Sequence, residues 1–231
     1  MQPARDLEMP LLESFGSLHR ENGLVATGLN LCWRALMRAY LAVWHRLEVQ
    51  GREHVPRSPP FVLVANHASH LDALVLGSPL KWDLHGRVFP IAAGDVFFAS
   101  PVRSALAALV LNALPMWRKN CGRHAMQQLR QRLVDEPCGY ILFPEGGRSR
   151  DGSMRPFKTG LGMLVAGTSV PVIPCHLSGT FDAMQPGRML PLPRKIRLRI
   201  GQAMTFLHNG NNRPEWERIV AAVEERVRQL A

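Results

Sequence analysis

A histidine and an aspartate five positions apart, His67 and Asp72, carry the clearest potential for chemistry in this chain of 231 residues. On one regular helix the two side chains would point about 140° away from each other, so a turn must intervene for them to meet. If they meet, Asp72 accepts the imidazole N–H and fixes the tautomer, which leaves the other ring nitrogen free to take a proton from a hydroxyl. The pair therefore predicts a general base.

Two other interpretations of this segment stay open from the residues alone. His67 could pack or cap locally while Asp72 merely decorates the first turn of a helix. His67, His70 and Asp72 could instead chelate a metal ion, because His-x-x-His followed by a carboxylate supplies suitable ligands. The sequence offers no further obvious ligand cluster, so we expect no metal.

A second polar segment, residues 143–152, also follows an apolar run. Its glycines would let backbone amides approach an anionic group, and Arg148 adds a planar fork suited to phosphate. Between residues 116 and 200 the sequence holds fourteen Lys or Arg and five Asp or Glu, so nearly all of the net charge of +10 lies in this half. An anionic substrate fits this asymmetry. A solvated basic turn is the simpler alternative.

Apolar runs that alternate with helical patterns must position these two segments. They predict an α/β fold with a mixed, mainly parallel sheet flanked by helices. The candidate strands are residues 61–65, 88–92, 113–117, 140–143, 170–175 and 196–200, the last as an edge strand. The candidate helices are residues 71–77, 101–111, 123–134 and 214–230, with Pro214 as the first residue of the last helix. Residues 185–195 are predicted to be a surface loop.

The apolar stretch of residues 24–44 has about the length of a membrane-spanning helix. Arg34, Arg38 and His45 would form a polar stripe on it, and central charges are costly in a bilayer, so we expect an amphipathic helix lying in the interface. Trp33 and Trp44 suit the headgroup level. The apolar residues expected opposite the stripe are Leu29, Leu36, Leu41 and Val43. Packing of this helix on the core is the alternative.

The bulk properties point to one main domain. The hydrophobic content is 46% and the charged content 20%, which suits one substantial core. The four cysteines have no short paired spacing and the N-terminus lacks a secretory signal, so we expect a protein that stays inside the cell. The charge predicts anionic partners, and nucleic acid is disfavoured because the basic residues are not interleaved with stacking aromatics. We divide the chain into a membrane-associating segment, 1–46, and an α/β domain, 47–231.

Four blocks of sequence, in this order, resemble the lysophosphatidic acid acyltransferase superfamily. The first is the His-x-x-x-x-Asp motif from His67 to Asp72. The second, weaker block is residues 114–118 and ends in Arg118, preceded by Trp117 where the family usually has an acidic residue. The third is residues 143–149, with Gly147 where the family has threonine. The fourth is the apolar run 170–174, which ends in Ile-Pro.

The resemblance implies transfer of a fatty acyl group from acyl-CoA or acyl carrier protein to a lysophospholipid hydroxyl, that of 1-acylglycerol-3-phosphate, in phospholipid biosynthesis. It implies His67 as base and Asp72 as its partner, and no cofactor beyond the acyl donor as co-substrate. It also implies an anionic membrane surface as partner and the cytoplasmic face of a membrane, such as the bacterial inner membrane, as location. The acceptor would be held by Arg118, Glu145, Gly146, Gly147, Arg148 and Ser149.

Two competing functions stay open at this point. One is a metal-dependent phospholipid hydrolase built on His67, His70, Asp72 and Glu145, which would lose activity to chelators. The other is a non-enzymatic basic module that binds membranes.

Overall fold

The computed structural model describes residues 24–84, 86–93, 114–116, 123–188 and 190–231. The strands in these ranges are β1 (Glu48–Gln50), β2 (Phe61–Ala65), β3 (Val88–Ala93), β4 (Leu114–Met116), β5 (Gly139–Leu142), β6 (Val172–Ser178) and β7 (Arg197–Ile200). The helices are α1 (Leu24–Trp44), α2 (Asp72–Gly77), α3 (Arg123–Asp135), α4 (Gly160–Val165), α5 (Thr180–Ala183) and α6 (Arg213–Gln229). Short 3-10 turns cover Arg52–His54 and Trp82–Leu84.

Within the described residues the strands form one seven-stranded sheet in the order β1-β7-β6-β2-β5-β3-β4. The strands from β6 to β4 run parallel, β7 is antiparallel to β6, and β1 is parallel to β7. The predicted mixed, mainly parallel sheet is therefore confirmed. The prediction that residues 196–200 form an edge strand is wrong, because β1 pairs with β7 and takes the edge position.

The central strand β2 is apolar throughout because both faces of the sheet are covered. Val62 and Val64 contribute to an apolar cluster with α3, α4 and α6 on one face. Phe61, Leu63 and Ala65 point to the other face, where they pack in a second cluster that includes residues of α1 and α2. This alternation follows the two-residue period of a strand. The site-bearing strands thus sit in the most buried part of the fold.

The inner face of helix α1 carries the arginines, and this corrects the predicted arrangement of its sides. Arg38 donates a hydrogen bond to the backbone carbonyl of Leu80 and lies over the Trp82 ring, 4.1 Å from its centroid. Leu41 is fully buried on the same helix, so it does not lie opposite the arginines as predicted. Burial, and then the nearby Arg38, lowers the pKa of Arg34 to about 10. The arginine stripe therefore faces the domain.

The outward face of α1 is apolar. Leu36 and Val43 lie on the side away from the arginines, as predicted, and their relative exposures are 59% and 80%. The other exposed positions described on this helix are Gly28, Cys32, Ala35, Ala39, Ala42 and Trp44. In the part of the chain that the structure describes, no helix combines the length and apolar character needed to span a membrane.

Helix α6 begins one residue earlier than predicted. Asn212 is its N-cap and accepts a hydrogen bond from the Glu215 backbone N–H at 3.1 Å, while Arg213 rather than Pro214 is the first helical residue. The predicted helix at 101–111 and the ends of the predicted strand at 113–117 lie outside the described residues. The predicted loop at 185–195 has no regular secondary structure at its described positions.

Candidate active site

The carboxyl ends of three neighbouring parallel strands bring the polar segments together. The strands β2, β5 and β6 are adjacent in the sheet. Residues 66–71 follow β2, residues 143–159 follow β5, and Gly179 with the helical turn α5 follows β6. Ligands of parallel α/β sheets bind at this edge.

The predicted contact between His67 and Asp72 is present. His67 Nδ1 lies 2.8 Å from Asp72 Oδ2, and the backbone N–H groups of Ala68 and Ser69 donate to the same oxygen at 2.7 and 2.8 Å. Asp72 is fully buried as the first residue of α2. With the carboxylate as acceptor, Nδ1 carries the proton and Nε2 is the ring nitrogen available to accept one. A turn through residues 68–71 creates this geometry.

The imidazole of His67 is held from its face as well as from its edge. Its ring stacks on the Phe143 ring with centroids 4.2 Å apart and planes inclined by 18°. The His67 side chain keeps 21% of its surface exposed. A base with one nitrogen fixed, a stacked ring and a partly open side can receive a hydroxyl without moving far.

Glu145 joins the two polar segments through its carboxylate. Oε1 accepts a hydrogen bond from the His67 backbone N–H at 2.8 Å, and Oε2 accepts one from the Arg155 backbone N–H at 3.2 Å. Burial raises the pKa of Glu145, while these two backbone bonds oppose the increase. In the return direction, the Ser149 backbone N–H donates to the His67 carbonyl at 2.7 Å. Glu145 thus ties the loop after β5 to the His67 backbone.

The loop after β5 is shaped by internal hydrogen bonds and by two glycines with positive φ, Gly146 and Gly152. Asp151 Oδ1 accepts hydrogen bonds from the Ser149 and Ser153 hydroxyls at 2.8 and 2.6 Å. These bonds, that from the Ser153 side chain first, lower the pKa of Asp151 to about 2. Gly146 has φ +70, and a Cβ there would come within 2.5 Å of Lys158 Nζ. The lysine therefore lies directly across the glycine turn.

The other residues predicted to hold the acceptor substrate differ in their burial and in their contacts. Arg148 is partly buried, and its charge contributes to a lowered pKa of His70, for which burial is the larger cause. Gly147 lies where an added Cβ would meet only Arg155 Nη1, at 3.9 Å. Ser149 is buried and its hydroxyl bonds Asp151, so its side chain belongs to the loop's internal network. Arg118 lies outside the described residues.

Several of the donor atoms proposed for a metal site already form hydrogen bonds within the protein. His67 Nδ1 and Asp72 Oδ2 bond each other, and both Glu145 oxygens accept backbone N–H groups. Among the described residues, no group of three or more His, Cys, Asp or Glu side chains is arranged to hold a metal ion. The geometry therefore favours a base over a metal centre at His67.

Three residues that shape the site were not predicted from the sequence. The Asn66 amide exchanges two hydrogen bonds with the Leu177 backbone, at 2.9 and 2.8 Å, and so ties the start of the His67 segment to β6. Phe143 stacks on His67, and the Arg155 backbone binds Glu145. Asn66 directly precedes His67 at a strand end, which was a usable signal. The spacing of Phe143 and Arg155 does not indicate their contacts with His67 and Glu145, because these contacts join residues distant in sequence.

Comparison with known proteins places this geometry in a family context. A family model described as Acyltransferase matches residues 46–178. The 1-acyl-sn-glycerol-3-phosphate acyltransferase alpha of Homo sapiens is 35% identical over 139 residues, covering 59% of this chain and 47% of that protein. The chloroplastic 1-acyl-sn-glycerol-3-phosphate acyltransferase BAT2 of Brassica napus is 30% identical over 171 residues, covering 71% of this chain and 45% of that protein. The chain spans about half the length of these relatives.

A solved structure supports the fold independently. The 1-acyl-sn-glycerophosphate (LPA) acyltransferase PlsC from Thermotoga maritima superposes with a TM-score of 0.67 at 24% identity, covering 95% of this chain and 86% of that one. The family match covers more than half of the chain and contains the His67 and Asp72 pair, the Glu145 loop and strands β1 to β6. This chain therefore belongs to the acyltransferase family.

Proposed function

We propose that this protein transfers a fatty acyl group from a thioester donor to the free hydroxyl of a lysophospholipid, with 1-acylglycerol-3-phosphate as the acceptor. The observation that carries the proposal is the 2.8 Å contact between His67 Nδ1 and an Asp72 oxygen that two backbone amides also hold. The names of the relatives support the choice of acceptor.

In the proposed reaction, His67 Nε2 removes the proton of the acceptor hydroxyl while Asp72 stabilises the resulting imidazolium. The oxygen attacks the thioester carbon, and a tetrahedral intermediate forms with the negative charge on the former carbonyl oxygen. Its collapse breaks the carbon–sulfur bond, and the imidazolium returns the proton to the departing thiolate. An ester and a free thiol result, and no acyl-enzyme forms.

The loop after β5 would hold the acceptor phosphate beside the base. Arg148 and Lys158 supply positive charge there, and the Gly146 turn allows close approach of a ligand to the backbone. Glu145 contributes by fixing this loop to the His67 backbone. Fixing the acceptor hydroxyl near His67 in this way removes part of the entropic barrier to a reaction between two substrates.

We further propose that the protein docks on the cytoplasmic surface of a membrane through the outward face of α1. This face carries Leu36 and Val43 and lies beside Trp44, a residue type suited to the headgroup level. A lipid interface would cover apolar side chains that the fold leaves exposed. Attraction of the basic half of the chain to anionic lipid would add to this contact.

The decisive experiment measures ester formation by purified His67→Ala and His70→Ala enzymes with labelled acyl-CoA and 1-acylglycerol-3-phosphate. Loss of the base should lower kcat by about 10² to 10⁴-fold, with KM for the donor changed little. The His70→Ala enzyme is the matched control, because His70 lies in the same segment and has no part in the proposed proton transfer; its kcat should stay within a few fold.

Near-normal turnover of the His67→Ala enzyme would exclude His67 as the base. Release of free fatty acid from intact phospholipid, abolished by a chelator, would instead support the hydrolase. The proposed transferase predicts an esterified product that forms equally well in the presence of EDTA.

A further inference from the structure

A pocket with two arginines lies at the same edge of the sheet, outside the residues assigned to the base or the acceptor. It is lined by Asp182, Gln185, Arg188, Leu192 and Arg194, and its volume is about 460 Å³. Small-molecule sites commonly have about 300 to 1,000 Å³. The pocket is therefore large enough for a ligand of substantial size.

Two contacts place this pocket beside the His67 segment. The Ser69 hydroxyl donates to the Met184 carbonyl at 3.0 Å, and Met184 directly precedes Gln185 of the pocket. On the other side of α5, the Phe181 ring would lie 3.0 Å from a Cβ on Gly152. The helical turn α5 is thus held between the segment after β2 and the loop after β5. A ligand in the pocket would therefore lie next to the His67 segment.

The two arginines of this pocket differ from the basic residues that follow them in the chain. Residues 185–199 contain five Lys or Arg and no Asp or Glu. Three of the five are engaged: Lys195 and Arg197 pair with Glu48 at 2.8 and 3.5 Å, and Arg199 donates to the Leu230 carbonyl at 2.8 Å. Within the described residues, no ion pair is found for the side chains of Arg188 and Arg194.

We propose that Arg188 and Arg194 bind the phosphate groups of a coenzyme A donor. This inference rests on the proposed function, in which two anionic substrates must meet at His67 and only the acceptor has a basic loop assigned to it. Arginine forks match phosphate oxygens, while Asp182 and Gln185 offer hydrogen-bonding groups suited to a ribose or an adenine. A carrier protein would need a broad face of about 800 Å² rather than a pocket, so the concave shape favours the nucleotide.

The first test is calorimetric titration of the full chain with coenzyme A, which needs no turnover. The Arg188→Gln/Arg194→Gln variant should bind coenzyme A about tenfold more weakly or worse, the loss expected when charge-assisted hydrogen bonds to phosphate are removed. The matched control is Arg57→Gln, because Arg57 is equally basic and exposed but precedes β2, at the opposite end of the strands. The control should bind within twofold of the original protein.

Steady-state kinetics then separate the donor from the acceptor. The double variant should raise KM for acyl-CoA by a similar factor and leave KM for the lysophospholipid within twofold. Unchanged coenzyme A affinity, or an equal rise in both KM values, would overturn the assignment. So would an effect confined to acyl carrier protein as donor. Coenzyme A binding that depends on both arginines in a chain without acyl transfer would uphold the pocket and refute the transferase.

Discussion

Asp72 presents its two carboxylate oxygens to different surroundings. Oδ2 accepts three N–H groups, whereas Oδ1 is buried and has no hydrogen-bond partner among the described residues. The three donors fix the orientation of the group, and the low-dielectric surroundings leave its charge poorly screened. Both effects favour a protonated imidazole during proton transfer. Asp72 is therefore expected to contribute orientation and charge together.

Replacement of Asp72 by Asn tests these contributions. Asparagine has nearly the same shape but carries no charge, and its amide nitrogen cannot accept the N–H groups that donate to the carboxylate. We expect kcat to fall by about 10² to 10⁴-fold with KM little changed. Kinetics at saturating donor check this, and circular dichroism shows whether the variant is folded. A folded variant with kcat within threefold of the original would contradict the role.

At the scale of elements, α1 divides its surface between the domain and the outside. Arg38 is bonded to the Leu80 carbonyl and Leu41 is part of the core, while Leu36 and Val43 face outward. Charge reversal at Arg38 would break a contact inside the domain, so it cannot report on lipid attraction alone. Substitution of the outward residues is the cleaner probe of membrane docking.

The Leu36→Glu/Val43→Glu variant should lose much of its membrane binding. Two carboxylates on the docking face would have to be buried at the lipid interface or keep the helix away from it. Flotation with vesicles of phosphatidylglycerol and phosphatidylcholine measures the bound fraction, which we expect to fall several-fold.

The matched control for flotation is Val134→Glu/Leu207→Glu, which places the same charges on exposed apolar positions outside α1. Val134 is 54% exposed and Leu207 is 53% exposed, similar to Leu36. This control should float like the original protein. Equal flotation of all three proteins would refute docking through the outward face of α1.

The contact between α4 and α6 depends on a glycine. A Cβ on Gly162 would lie 2.5 Å from both Cα and the carbonyl oxygen of Trp216, atoms of the α6 backbone that cannot rotate away. Gly162→Ala should therefore push the two helices apart and lower the free energy of unfolding by about 1 to 3 kcal/mol. Urea denaturation followed by circular dichroism measures this change.

Gly77→Ala is the control for this prediction. Gly77 is also helical, but an added Cβ there meets nothing within 4 Å. The free energy of unfolding of the Gly77→Ala variant should be unchanged or slightly higher, because alanine is the better helix former. A destabilisation of similar size in both variants would show that helix propensity, and not the contact with Trp216, sets the cost.

At the scale of the whole molecule, the sequence predicts those elements and contacts that depend on local patterns. The apolar run of residues 61–65 was predicted with the bounds of β2, because burial on both faces leaves a continuous hydrophobic stretch. The residues predict that His67 and Asp72 meet if a turn intervenes, and the family resemblance implies that they act as base and partner. Their contact in the structure confirms that geometry.

The sequence does not predict contacts between residues that lie far apart in the chain. Strand β1 has three residues with no strong pattern, and it pairs with residues 197–199 at the other end of the chain. Missing this pairing produced the wrong edge assignment for β7. Likewise, the carbonyl that binds Arg38 lies 42 residues away, so helical periodicity alone could not show which way the arginine faces.

The hydrogen bonds between the His67 backbone and the loop after β5 have a consequence for the choice of acceptor isomer. The His67 N–H donates to Glu145, and the His67 carbonyl accepts from Ser149, so one peptide unit on each side of His67 is locked to the loop proposed to hold phosphate. Under the proposed function, these bonds then fix the distance between the bound phosphate and the oxygen that His67 activates. Acceptors whose free hydroxyl lies one carbon nearer to the phosphate, or one carbon farther from it, would match that distance poorly.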